Sequence, residues 1–129
     1  SNISGYVSRI PLALVVESLA SANGKRIDIR GWKSVHVGQG ARTIDQGPAG
    51  RYLFTAVNGS SEVVVVDTET MEIITRVRTD SYTVGLAVSP DGRQVWTTSQ
   101  GRDRKGGNSV CIYEITFRDN NKDEPQIAG

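Results

Sequence analysis

The 129-residue sequence predicts an all-β chain made of repeated four-stranded antiparallel sheets. Three observations carry that prediction. The turn Gly47-Pro48-Ala49-Gly50-Arg51 returns as Ser89-Pro90-Asp91-Gly92-Arg93, and Pro48 to Pro90 and Gly50 to Gly92 are both spaced by 42 residues. Each turn is followed by a run rich in β-branched and aromatic residues, 52–57 and 94–99, as strands prefer. Residues 63–66 are consecutive valines, a density that disfavours helix and suits a strand covered on both faces. A fixed period near 40 residues marks a repeat architecture.

Taken in order, residues 5–10 read as a strand. Residues 11–22 form the one helical pattern: Pro11 suits the first turn, Leu12, Val15, Val16 and Leu19 share a face, and Asn23-Gly24 is a C-terminal stop. This helix is an insertion between two strands, covering a sheet edge or serving as a lid for a partner. Residues 25–30 alternate charged and apolar side chains and predict a strand or hairpin arm. Residues 32–38 predict an outer strand. The first complete unit then has strands at 41–46, 52–57, 62–67 and 71–79. Proline presets φ in the 47–51 turn and glycine supplies positive φ. The second unit repeats three of these strands at 83–88, 94–99 and 110–115. Its third strand is offset by 47 residues, Val63 to Val110, so the loop before it is five residues longer than its counterpart. Residues 119–129 read as a polar, frayed tail. The chain thus divides into an N-terminal partial unit (1–31), the repeats (32–118) and a tail (119–129).

Four short antiparallel strands per 42 residues describe one blade of a β-propeller. The motifs resemble the YVTN-type propeller repeat, whose consensus has a Ser-Pro-Asp-Gly turn, a Tyr-Val-Thr-Asn-like second strand and a Val-Ser-Val-Ile-Asp-like third strand. Ser89-Pro90-Asp91-Gly92-Arg93 matches the turn closely, Phe54-Thr55-Ala56-Val57-Asn58 the second strand loosely, and Val63-Val64-Val65-Val66-Asp67-Thr68 the third strand well. The resemblance covers about residues 32–115. It implies a secreted or surface-layer-associated protein. Propellers of this shape include lactonases and quinone- or haem-linked oxidoreductases, so the motif specifies a fold and not a function. Propellers have about four to eight blades, and two cannot close on themselves. The expected partners are further blades or further copies of the chain, with residues 33–38 as the strand that completes the 110–115 edge, alongside a protein or small-molecule ligand.

Composition excludes several classes. Net charge is +1, with 15 basic against 14 acidic side chains, which leaves no electrostatic footprint for nucleic acid. The single cysteine, Cys111, can form neither an intrachain disulfide nor a cysteine-based metal site, and reads as a small core residue. No apolar run predicts a membrane span, and no secretory leader is visible. The single histidine, His36, reads as an outer-strand residue. No nucleophile–base pair, no metal-ligand spacing and no cofactor fingerprint is present, so no catalytic residue, metal or cofactor is expected. The candidate ligand-binding residues are Arg42 and Asp45 on the first strand, which lines a propeller channel, and Asn58, Tyr82, Arg102, Asp103, Arg104 and Lys105 in the loops of one face. The expected function is that of a non-enzymatic binding or scaffold module outside the cytoplasm. The alternative is part of an enzyme propeller, lactonase-like or a redox subunit.

Overall fold

A computed structural model of the chain describes residues 3–118 and 121–128. Strand β1 (Tyr6–Arg9), helix α1 (Leu12–Ala22) and strand β2 (Lys33–His36) come first, and β1 and β2 pair antiparallel as a two-stranded sheet. The helix is therefore an insertion between paired strands, and it ends on Asn23 in the left-handed region, as the Asn-Gly stop predicts. Strands β3 (Ala41–Gln46), β4 (Tyr52–Val57), β5 (Glu62–Asp67) and β6 (Glu72–Arg78) form the first complete sheet, in that spatial order. Strands β7 (Thr83–Val88), β8 (Gln94–Ser99), β9 (Ser109–Arg118) and β10 (Asn121–Ala128) form the second. Each is an antiparallel meander.

The sheets stack face to face, with the first strands β3 and β7 against each other. They are successive blades of a β-propeller, and the chain is a fragment of that fold. Side-chain alternation along β5 makes the stack possible. Val63 and Val65 join Tyr52, Phe54 and Ala56 against Leu86, Val95, Tyr113 and Ile115 of the second blade. Val64 and Val66 point the other way, with Val57 and Met71, and pack on Val7 and Val37 beside the N-terminal pair of strands. All four valines are buried because blades cover both faces of β5.

The two copies of the turn share Gly50 and Gly92, both at φ +70°. They differ one residue earlier. Ala49 sits at φ +63°, where an L side chain is strained, whereas Asp91 avoids the left-handed region. In the second copy the Asp91 carboxylate accepts the Ser89 hydroxyl at 2.6 Å and the Arg93 N–H at 3.0 Å. Those bonds hold the carboxyl below its ordinary range, the Ser89 hydroxyl contributing most.

Three expectations are corrected. Residues 25–31 form no strand: the segment is exposed except at half-buried Ile29, and it lies along no sheet edge, so its alternation has nothing to pair with. The expected tail is largely strand β10; residues 119, 120 and 129 lie outside the described residues. Strand β10 completes the second blade, pairing Ile127 with Ile115 and Gln126 with Thr116. The β9 edge therefore does not wait for residues 33–38, which are engaged with β1. The incomplete blade is the N-terminal one, where β1 and β2 hold the third and fourth positions and the first and second are empty among the described residues.

Candidate functional site

The loops at one end of the blades are tied into a single face by backbone bonds. The Asn58 N–H donates to the Gly40 carbonyl at 3.0 Å and the Gly59 N–H to the Gln39 carbonyl at 3.2 Å. Thr79 N–H donates to Ser61 at 2.9 Å, Gly101 N–H to Ser81 at 2.9 Å, and Gln100 N–H to Tyr82 at 3.1 Å. Each loop is thus braced by the next.

Asp80 is the hub of this face. Its carboxylate accepts the Ser109 hydroxyl at 2.6 Å, the Ser81 N–H at 2.6 Å and the Gly107 N–H at 3.1 Å. These donors, the Ser109 hydroxyl first, hold its carboxyl below the ordinary aspartate range. Its backbone carbonyl accepts the hydroxyls of Thr83 and Ser99, each at 3.2 Å. Asp80 pins both ends of the long 100–108 loop to the blade junction. Sequence reading missed it, because a lone aspartate in a Thr-Asp-Ser stretch resembles an ordinary turn residue; the serine in position after the long loop was the available signal.

The long loop is a built hairpin. Arg102 and Lys105 exchange backbone bonds at 3.2 and 3.0 Å around Asp103 and Arg104, both with positive φ. This is the two-residue turn whose twist matches a hairpin, made here without the usual glycine. Gly101, Gly106 and Gly107 also lie at positive φ and let the flanking strands approach. The hairpin holds Arg102, Arg104 and Lys105 in solvent, with Asp103 beside the Arg102 guanidinium at 4.0 Å. The Arg102 guanidinium lies 5.8 Å from the Tyr82 ring centroid, a cation–π contact that orients it.

The structure divides the sequence-predicted residues among three places. Tyr82, Arg102, Asp103, Arg104 and Lys105 come together at the hairpin. Asn58 is buried on the same loop face but packs under Gly40, where it has a structural role. Arg42 is exposed in a separate groove near the N-terminal strands. Asp45 lies at the opposite, turn end of β3, with its carboxylate oxygens engaged by the Gln46 N–H at 2.9 Å and the Val88 N–H at 2.8 Å. A cleft of about 590 Å³ borders it, lined by Pro48, Ala49, Ser89 and Pro90 among others. Among the described residues no group of three or more His, Cys, Asp or Glu side chains is placed to hold a metal, and no helix is long and apolar enough to cross a membrane.

No family model matches the chain, and no curated protein does. A solved structure that resembles it is the β-propeller domain of Cps50 (Swd1) from Myceliophteria thermophila, at 17% identity and a TM-score of 0.48, over 68% of this chain. The chain spans about a quarter of that domain's length, 27%.

Proposed function

We propose that the chain is a binding and scaffold module of a β-propeller of the YVTN repeat type, that it acts outside the cytoplasm, and that its loop face carries the ligand surface. The observation that carries this reading is the hairpin at 102–105. The equivalent connection in the first blade is the short turn 58–61, so the extra residues are not needed to link strands. They are nonetheless ordered, by the Asp80 bonds and the turn, and they present three basic groups beside an aromatic ring. An ordered, cationic, partly aromatic projection suits an acidic segment of a protein partner. Asp45, the carboxylate of the first strand, is engaged by two backbone N–H groups, which supports a structural role for it over a catalytic one. The location outside the cytoplasm and the repeat type rest on the turn and third-strand motifs.

The test is titration of a ten-residue polyglutamate peptide followed by calorimetry. The expected result is binding that weakens as salt rises and falls at least tenfold in the combined Arg102→Ser, Arg104→Ser, Lys105→Ser variant. Equal affinity of the variant and the parent would sink this reading.

A further inference from the structure

The dipeptide Asn-Gly occurs twice in this chain, at Asn23-Gly24 and at Asn58-Gly59. It carries its own chemistry. Glycine has no side chain to shield its backbone nitrogen, so that nitrogen can reach the carboxamide carbon of the preceding asparagine. The attack needs the asparagine backbone to rotate and the glycine N–H to be released from any acceptor. The structure treats the two copies differently.

Asn58 is 6% exposed and lies on the braced loop face. Its own N–H donates to the Gly40 carbonyl at 3.0 Å. The Gly59 N–H, whose nitrogen would be the nucleophile, donates to the Gln39 carbonyl at 3.2 Å. The Asn58 carboxamide packs so closely on Gly40 that a Cβ there would overlap it. Rotation at Asn58 must therefore break both bonds and lift the loop. Asn23 has the opposite setting. It ends α1 in the left-handed region, at φ 49° and ψ 45°, and residues 23–28 are all exposed. A Cβ on Gly24 would meet no atom within 4 Å. Helix α1 buries none of its residues, so its last turn opens at little cost.

We infer that Asn23 is a site of spontaneous deamidation, and that the fold shields Asn58 from the same reaction. The Gly24 nitrogen bonds to Asn23 Cγ and gives up its proton. The bond from Cγ to the carboxamide nitrogen breaks, and ammonia leaves with that proton. Water, the one co-reactant, then opens the succinimide at either carbonyl, giving aspartate or isoaspartate. Either product puts a carboxylate at the C-terminal end of α1, where the helix dipole disfavours negative charge. Isoaspartate also lengthens the main chain by a carbon, which draws the Lys25 N–H away from its 2.9 Å bond to the Ala22 carbonyl. Ageing thus loosens the helical insertion and leaves the loop face intact. The inference is independent of the ligand assigned to that face.

The experiment holds the folded 129-residue chain at mildly alkaline pH and follows both sites by peptide mapping with mass spectrometry. Isoaspartate is confirmed by its block to Edman degradation, and a parallel sample is held in urea. The expected result is conversion at Asn23 at least roughly tenfold faster than at Asn58 in the folded chain, with comparable rates in urea, where both sites are open. Exchange of the Lys25 amide should quicken in the converted fraction. Asn23→Gly keeps the left-handed helix stop without the carboxamide, so its Lys25 amide should not change with incubation. Equal rates at the two sites in the folded chain overturn the inference, as does a slower Asn23. A difference that persists in urea overturns it too, because sequence and not fold would then set it. Unchanged Lys25 exchange in the converted chain overturns the loosening of α1.

Discussion

Asp45 and Val88 are joined across the blade junction: the Val88 N–H donates to Asp45 Oδ2 at 2.8 Å, so a side chain of β3 is bonded to the backbone of β7. Together with the Thr43 bond to Val84, it fixes the inner strands of successive blades in register. Asp45→Ala removes an ionised acceptor from two backbone N–H groups, which is expected to cost about 1–2 kcal/mol of stability. Urea denaturation with an unchanged slope measures it. Asp45→Asn keeps one acceptor and should lose less; equal losses for the two variants would show that packing, and not the bond, is what matters there.

The turns make a second, opposed pair of predictions. A Cβ on Gly92 would overlap the Pro48 ring of the other blade, and Gly92 is already at φ +70°. Gly92→Ala should therefore cost more than the ~1 kcal/mol usual for a side chain in the left-handed region. Pro48→Ala in the same chain should recover part of that excess. Ala49, at φ +63°, is the reverse case: Ala49→Gly relieves strain and should stabilise by up to about 1 kcal/mol, offset in part by the unfolded-chain entropy of glycine. A thermal melt that ranks Ala49→Gly below the parent would contradict this account.

The strands were legible because their residues are extreme in character. Four valines at 63–66 and the paired Pro-x-Gly turns leave little choice of local structure. Strand β10 was not legible: Asn121-Lys122-Asp123-Glu124-Pro125-Gln126 has the composition of a tail, and only pairing with β9 makes it a strand, with a register shift between Asn121 and Pro125. Residues 25–30 show the converse, a strand-like alternation that finds no edge. In the site, the basic hairpin was visible as an added length of five residues. Its anchor was not, because Asp80 acts through donors 27 and 29 residues away, Gly107 and Ser109. Asp45 was noticed as a carboxylate where its repeat counterpart is Ala87, but the reason is its bond to the neighbouring backbone.

Asp80 gives the pH dependence of the loop face. Its folded-state carboxyl titrates below the ordinary 3.8 because the Ser109 hydroxyl and the Ser81 and Gly107 N–H groups favour the charged form. The unfolded or opened state binds its proton first as pH falls. The stabilisation is therefore complete above the ordinary value and is lost as pH falls through the lower, folded value. The Gly107 amide should be protected at neutral pH, and its protection factor should fall as pH drops below 3.8. Asp80→Asn should make that opening independent of acid pH and loosen residues 101–108 at every pH. Amide exchange of Gly107 that is unchanged in Asp80→Asn would refute the hub role.

Phe54 and Trp96 occupy the same place in successive blades, 42 residues apart: Phe54 is opposite Asp45 and Val65, and Trp96 opposite Ala87 and Ile112. Phe54 is 1% exposed and Trp96 43%. The repeat makes the strand in both cases, and the neighbouring blade makes the core only in the first. Phe54→Ala should cost about 3–5 kcal/mol, the usual range for a buried aromatic. Trp96→Ala should cost well under half of that, since its ring already meets solvent and its indole N–H is held only by Gln94 Oε1 at 3.1 Å on the same face. With Trp32 replaced by Phe, emission from Trp96 should be red-shifted and readily quenched by acrylamide. A blue-shifted, protected Trp96 in the 129-residue chain would mean that the Ile112 face is covered in solution, and the two substitutions would then be expected to cost similar amounts.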